Sequence, residues 1–219
     1  MEYNLRLLEE LDCRGGGDVE FFIYIPTEVE ARVRTLLQSK GLHRHFVVLH
    51  PGSGGSAKDW SPENFGKLAE CVGETDPDLK VVVTGSRGEE ALCERVVRAS
   101  GGRAISLAGE LALKDLAALI GSARAFVSNS TGPLHVAAAI GTPVVGLFPP
   151  HRAMSKERWG PYTSSRKVLV PDTSPECGIC NDGATGCPCM NSISVPQVAE
   201  ALFSLIRDTT NAKANNEKA

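Results

Sequence analysis

Aromatic residues make up only 5% of this 219-residue chain. That is too few for the stacking platforms that grip single-stranded nucleic acid. A basic surplus is missing as well: 23 Lys and Arg stand against 26 Asp and Glu, a formal net charge of -3. Domains that hold polyanions by bulk charge are strongly basic, so nucleic acid is not an expected partner, whereas a local phosphate site remains compatible with the count. No window approaches the roughly 18 consecutive apolar residues of a membrane span. The N-terminus, MEYNLRLLEE, lacks the basic start and unbroken apolar core of a signal peptide. A cytoplasmic chain is the expectation.

What is present is ordinary globular composition, 42% hydrophobic and 22% charged, which rules out disorder as the main state. The length suits one large domain, or one domain plus an arm. Residues 2–11 pattern as a short amphipathic helix, and Val19–Ile25 (VEFFIYI) as a strand. Thr27 then caps a helix running to about Ser39, with Glu28 and Glu30 at its positive end. From Phe46 onward short apolar runs alternate with helical patterns. Strands are expected at Phe46–His50, Leu79–Thr84, Ala104–Leu107, Ala125–Ser128, Pro143–Phe148 and Lys167–Val170. Helices are expected from Pro62, and at Glu89–Ala99, Leu113–Gly121, Gly132–Ile140 and Val195–Arg207. The tail from Thr209 is small, polar and charged, and is expected to be disordered. Such alternation defines βαβ units, hence an α/β, doubly wound parallel sheet covered on both faces.

In a sheet of order 3-2-1-4-5-6, ligands sit at the carboxyl ends of the strands that flank the reversal, the first and the fourth. The loops after those strands are the two most unusual in the chain. The first, Pro51-Gly52-Ser53-Gly54-Gly55-Ser56-Ala57-Lys58, offers glycines that let backbone amides approach an anion, hydroxyls on Ser53 and Ser56, and the charge of Lys58. It matches neither the P-loop nor the G-x-G-x-x-G fingerprint, and a flexible surface turn with a solvated lysine is the bland reading of it. The second, Ser128-Asn129-Ser130-Thr131-Gly132-Pro133-Leu134-His135, opens a helix with good capping residues and a proline in the first turn. Free amides there suit a phosphate. Alone, the run is only a well-capped helix, and His135 only a packing histidine. The place at the reversal of strand order tips the first loop toward binding, and beside it a phosphate or sugar contact for His135 weighs equally with packing.

Taken in order, HPGSGGSAKDWSPENFGKLAE, VVVTGSRGEE, FVSNSTGPLHVAAAIGTPVVGLF and RWGPY resemble glycosyltransferase family 9, the heptosyltransferase-like family of lipopolysaccharide core assembly. The resemblance runs from about Phe46 to Phe203. It implies one half of a GT-B fold: a Rossmann-like domain, residues 46–208, that binds a nucleotide-sugar donor such as ADP-heptose. Residues 1–45 resemble the family's interdomain arm, and residues 209–219 form the tail. By position, Ser53, Gly54 and Lys58 would lie along the donor phosphates. Ser130, Thr131 and Gly132 would hold the diphosphate, with His135 nearby. Transfer in the family is inverting and needs no metal or other cofactor.

Two departures bear on the donor. Many members carry an acid where Ser130 stands. Arg87 follows Gly85-Ser86 where heptosyltransferases have a ribose-contacting acid, a contact that Glu89 or Glu90 would have to supply. The acceptor domain, with its general base, is expected outside this sequence. Transfer to a lipid-linked glycan acceptor then needs that domain, and the alternatives are a non-catalytic nucleotide-sugar-binding module or a truncated remnant. Such acceptors imply peripheral contact with the inner membrane face, although no basic or amphipathic stretch demonstrates it. Finally, Cys177-x-x-Cys180 and Cys187-x-Cys189 lie close together. Free thiols, a closed four-cysteine zinc site and a disulfide are the readings, the last disfavoured in a cytosolic protein.

Overall fold

The computed structural model describes residues 21–43, 45–172 and 188–216. Six parallel strands form one sheet: β1 (Phe46–His50), β2 (Lys80–Val83), β3 (Ala104–Ser106), β4 (Phe126–Asn129), β5 (Val144–Leu147) and β6 (Arg166–Leu169). Their order is β3-β2-β1-β4-β5-β6. The strand order therefore reverses between β1 and β4, which pair directly through Leu49↔Val127 and His50↔Ser128.

Both faces of the sheet are covered, because strand residues alternate sides. Val47, Leu49, Val81, Val83 and Val127 join one apolar cluster. It is closed by α2 (Pro62–Thr75), α3 (Glu90–Ala99) and α7 (Val195–Asn216). Phe46, Val48, Val82 and Phe126 join the other, under α1 (Thr27–Ser39), α4 (Leu113–Ser122) and α5 (Gly132–Ile140). The helices bury stripes at helical spacing, Val29, Val33 and Leu37 on α1 and Phe65, Leu68, Ala69 and Val72 on α2. A four-residue helix, α6 (Lys156–Trp159), lies in the long crossover from β5 to β6.

Local start signals act largely as the residue types dictate. The Ser61 side chain accepts from the Asn64 amide at 3.3 Å, with Pro62 opening α2. At α1 the helix begins at Thr27 with Pro26 in the capping position, so Thr27 is not the cap.

Two further expectations differ from the structure. Residues 21–25 form no strand; β-propensity describes fit to a half-buried pleated surface, and a run without a ladder partner lacks that surface. Helix α7 continues to Asn216, past Arg207 and through the start of the expected tail; its buried Val198, Leu202 and Leu205 anchor the helix from which those turns extend. The expected helix at residues 2–11 lies outside the described residues.

Candidate functional site

The loop after β1 leaves the sheet as Pro51-Gly52 and turns at Gly54 and Gly55, whose φ values of 57° and 82° place both in the left-handed region. The turn is closed by its own hydroxyls. Ser56 donates to the Ser53 carbonyl at 2.7 Å, and Ser53 to the Ala57 carbonyl at 3.3 Å. These serines thus shape the loop before they serve any ligand. Ser53 and Lys58 are half-buried and Gly54 is exposed. The loop ends in Trp60, fully buried, its indole N–H donating to the Ile193 carbonyl at 2.9 Å and its ring edge-on to Phe65.

The loop after β4 is tied to the first by one side chain. Asn129 is completely buried at the end of β4. Its Oδ1 accepts the Trp60 amide at 3.0 Å, and its Nδ2 donates to the Pro51 carbonyl at 2.7 Å. Both ends of the glycine-rich loop are therefore fastened to the residue that leads into α5. Thr131 holds the capping position of α5 without a side-chain cap bond. Its hydroxyl faces Ser128 Oγ at 3.5 Å instead. The first amides of α5, at the positive end of the helix, thus receive no bond from the Thr131 side chain. Ser130 is half-buried and Gly132 exposed there, and His135 lies exposed about one turn along, its pKa lowered by partial desolvation.

Glu89 joins the site from the β2–α3 side. Its carboxylate accepts from the Ser86 amide at 2.7 Å and the Ser86 hydroxyl at 2.5 Å. Burial opposes its ionisation, but the Ser86 hydroxyl and amide, the nearby His50 and the Gly54 amide hold its pKa below the usual range. It is seated so closely on the loop that a Cβ at Gly52 would stand 2.0 Å from its Oε1. The Glu90 carboxylate instead accepts, through Oε2, from the Gly88 amide at 2.6 Å. Behind the loop, His50 shares a 2.9 Å hydrogen bond between Nδ1 and the Thr84 hydroxyl and stacks on Phe126. Burial lowers its pKa against the opposing effect of Glu89.

Asp59 carries the least expected electrostatics. Its Oδ1 is buried without a protein hydrogen-bond partner. Burial pushes its pKa up to about 6, assisted by Glu89 and opposed by the Ser53 hydroxyl and by Lys58. Asp59, Asn129 as a clamp, and Gly52 as a seat for Glu89 were not legible as site residues. A buried polar residue at a strand end is the one pattern that points to Asn129. Of the cysteine cluster, Cys177, Cys180 and Cys187 lie outside the described residues, and Cys189 is buried in the core beneath α7. Among the described residues no three His, Cys, Asp or Glu side chains gather in a way that would hold a metal ion.

A doubly wound parallel sheet whose glycine-serine loop and α5 are joined through Asn129 at the reversal of strand order defines a Rossmann-like domain. The model of glycosyltransferase family 9 (heptosyltransferase) matches residues 21–181, and the chain belongs to that family. It is 27% identical over 170 residues to lipopolysaccharide heptosyltransferase 3 of Escherichia coli strain K12, covering 75% of this chain and 47% of the relative. It is 32% identical over 135 residues to lipooligosaccharide heptosyltransferase 2 of Haemophilus ducreyi, covering 58% and 37%. Its fold is that of the family 9 glycosyl transferase from Veillonella parvula, with a TM-score of 0.76 at 24% identity over 93% of this chain and 58% of that one. The Escherichia coli ADP-heptose heptosyltransferase II gives a TM-score of 0.70 at 22% identity, covering 86% and 54%. The chain thus spans about half the length of the curated relatives it matches. No helix among the described residues is long and apolar enough to cross a membrane.

Proposed function

We propose that this chain is the donor-binding half of a GT-B glycosyltransferase and holds the diphosphate of a nucleotide-sugar between the glycine-serine loop and the N-terminus of α5. The observation that carries this reading is the Asn129 clamp, which fastens the Lys58 loop to the residue leading into α5. Lys58 would neutralise phosphate charge, with Ser53 and Gly54 alongside. Ser130, Thr131 and Gly132 would receive the diphosphate on open amides and hydroxyls, with His135 at the rim. Glu89 would face the ribose while bracing the loop.

In the transfer reaction, an acceptor hydroxyl attacks the anomeric carbon and the bond from that carbon to the diphosphate breaks with inversion. This chain's part is to stabilise the charge that accumulates on the leaving diphosphate. The base that takes the hydroxyl proton belongs to an acceptor-binding domain, and a lipid-linked glycan of the lipopolysaccharide type is the acceptor class. Work at the cytoplasmic face of a membrane follows from such an acceptor. Family membership and the length ratio to the relatives support this division of labour.

Calorimetric titration with ADP-, UDP- and GDP-sugars tests the reading. At least one binds, and Lys58→Ala weakens it about 10-fold or more, as expected when a cation within reach of phosphate is removed. Absence of any nucleotide binding, or unchanged affinity in Lys58→Ala, overturns it. A non-catalytic binding module would bind the donor equally well, and would differ in giving no transfer when an acceptor domain and acceptor are added.

A further inference from the structure

Asp59 stands on the donor loop between Lys58 and the buried Trp60, and its charge is poorly supported there. The side chain is half-buried, and its Oδ1 is buried without a protein donor. The Ser53 hydroxyl eases the carboxylate. That hydroxyl has one proton, however, and already donates to the Ala57 carbonyl at 3.3 Å. The backbone beside Asp59 is held in place. The Trp60 amide is bonded to Asn129 at 3.0 Å, and the Trp60 ring is fully buried against Phe65.

The charges acting on it are unbalanced. Lys58, on its own loop, is the cation, and Glu89, from the start of α3, is a second anion. Glu89 is seated against Gly52, and its ionised form is held by the Ser86 hydroxyl and amide and by the Gly54 amide. Glu63, in the first turn of α2, pairs with Arg95 at 2.7 Å. His50, at the end of β1, acts on Glu89. The loop after β4 carries neutral residues as far as His135. Two carboxylates thus share one ammonium, and Asp59 is the less supported of the two. Burial and Glu89 push its pKa up to about 6, whereas that of Glu89 is lowered.

A diphosphate laid along this loop brings more negative charge to the same place. Like charge favours the neutral form of a carboxyl, and the group that yields is the one whose ionised form has the fewest donors. We propose that Asp59 is a positioning residue of the donor loop that takes up a proton from solvent as a diphosphate binds, so that Lys58 is left to face phosphate without a competing carboxylate beside it. One O–H bond forms on Asp59 and the same bond breaks when the ligand leaves. This rests on the donor-site reading above and adds to it a proton that travels with the ligand. Because the bound state holds the extra proton, affinity rises as pH falls.

The test is calorimetric titration of the full 219-residue chain with ADP-, UDP- and GDP-sugars in buffers of different ionisation enthalpy. The slope of the observed heat against that enthalpy counts the protons taken up. Nucleotide-sugars suit the measurement, because each phosphate is substituted twice and keeps no proton that titrates near neutral pH. Near pH 6.5 an uptake of about half a proton per ligand is expected, for a rise of about one unit in the Asp59 pKa on binding. Affinity should then fall about 10-fold between pH 5 and pH 8. Asp59→Asn, neutral at every pH, should lower the proton count by about half a proton and bind about 10-fold more tightly than the wild type at pH 8. His135→Gln should leave that share of the uptake in place. Binding without proton uptake, or an uptake unchanged in Asp59→Asn, overturns this inference and leaves the donor site standing. Absence of binding by every nucleotide-sugar overturns the donor-site reading and this inference with it.

Discussion

The side-chain oxygen of Asn129 accepts the backbone amide of Trp60 at 3.0 Å, from a residue 69 positions away in sequence. Through that bond, and the partner bond to the Pro51 carbonyl, a single buried side chain sets the relation of the two loops that form the candidate donor site.

Asn129→Ala should cost about 2–3 kcal/mol of stability, since two buried backbone groups lose their partners. For a chain of this length that corresponds to a fall of roughly 5–10 °C in melting temperature. Nucleotide affinity should fall in parallel, because the loop would no longer be held against α5. Denaturant titration and calorimetry on the same preparation would show both; retention of full stability would mean that water replaces the clamp at no cost.

Gly52→Ala should displace the Glu89 carboxylate, which sits where the new methyl would go. The expected cost is about 1–2 kcal/mol, the value of the charge-assisted bonds from Ser86 and Gly54 in a partly exposed setting. A double-mutant cycle checks the cause. Once Gly52→Ala is in place, Glu89→Ala should cost little more, giving a coupling energy near 1 kcal/mol; simple additivity would show that the two residues act independently.

Asp59→Asn should stabilise the protein at neutral pH. The folded pKa of about 6 lies above the ordinary value of 3.8. Ionisation is thus easier in the unfolded chain, and wild-type stability falls as pH rises from about 4 to about 6, then levels. The asparagine variant lacks that loss. Its advantage should be absent near pH 4 and reach about 1–2 kcal/mol at pH 7, a figure already reduced for solvent screening of a partly exposed group. Stability curves of both proteins from pH 4 to 7 would decide, and parallel curves would remove the assigned shift.

Cys93 should be chemically silent in the folded chain. Burial, with Glu89 and Glu90 nearby, pushes its thiol up to about 12, and it is fully buried on the inner face of α3. Peptide mapping after alkylation at pH 8 should find Cys93 unlabelled unless denaturant is present, while half-buried Cys71 labels before it. Rapid native labelling of Cys93 would show that α3 opens readily.

Much of the fold was legible because its information is local. Phe46–His50 and Gly132–Ile140 are identified to the residue by an apolar run and by a capping pattern with proline in the first turn. The regular alternation of such segments already implies the parallel sheet, and the loops flanking the reversal already carry Ser53, Lys58, Ser130 and Thr131. Residues 21–25 were misjudged for the converse reason: their β-propensity is strong, and nothing in their own sequence shows whether a partner strand is beside them.

Sequence alone therefore determined the element types, the strand order expected of a doubly wound sheet and the two loops most suited to an anion. Hydrophobic period, glycine and proline chemistry and helix capping act over a few residues, so a few residues suffice to read them. Only the tertiary structure decided that Asn129 fastens those loops together, that Glu89 leans on Gly52, that Asp59 is held in a place unfavourable to its charge, and that Phe22 and Tyr24 stand exposed. Each of these is set by what a distant segment brings within a few ångströms, and burial, hydrogen bonding and pKa depend on that neighbour and not on the residue's own surroundings in the chain.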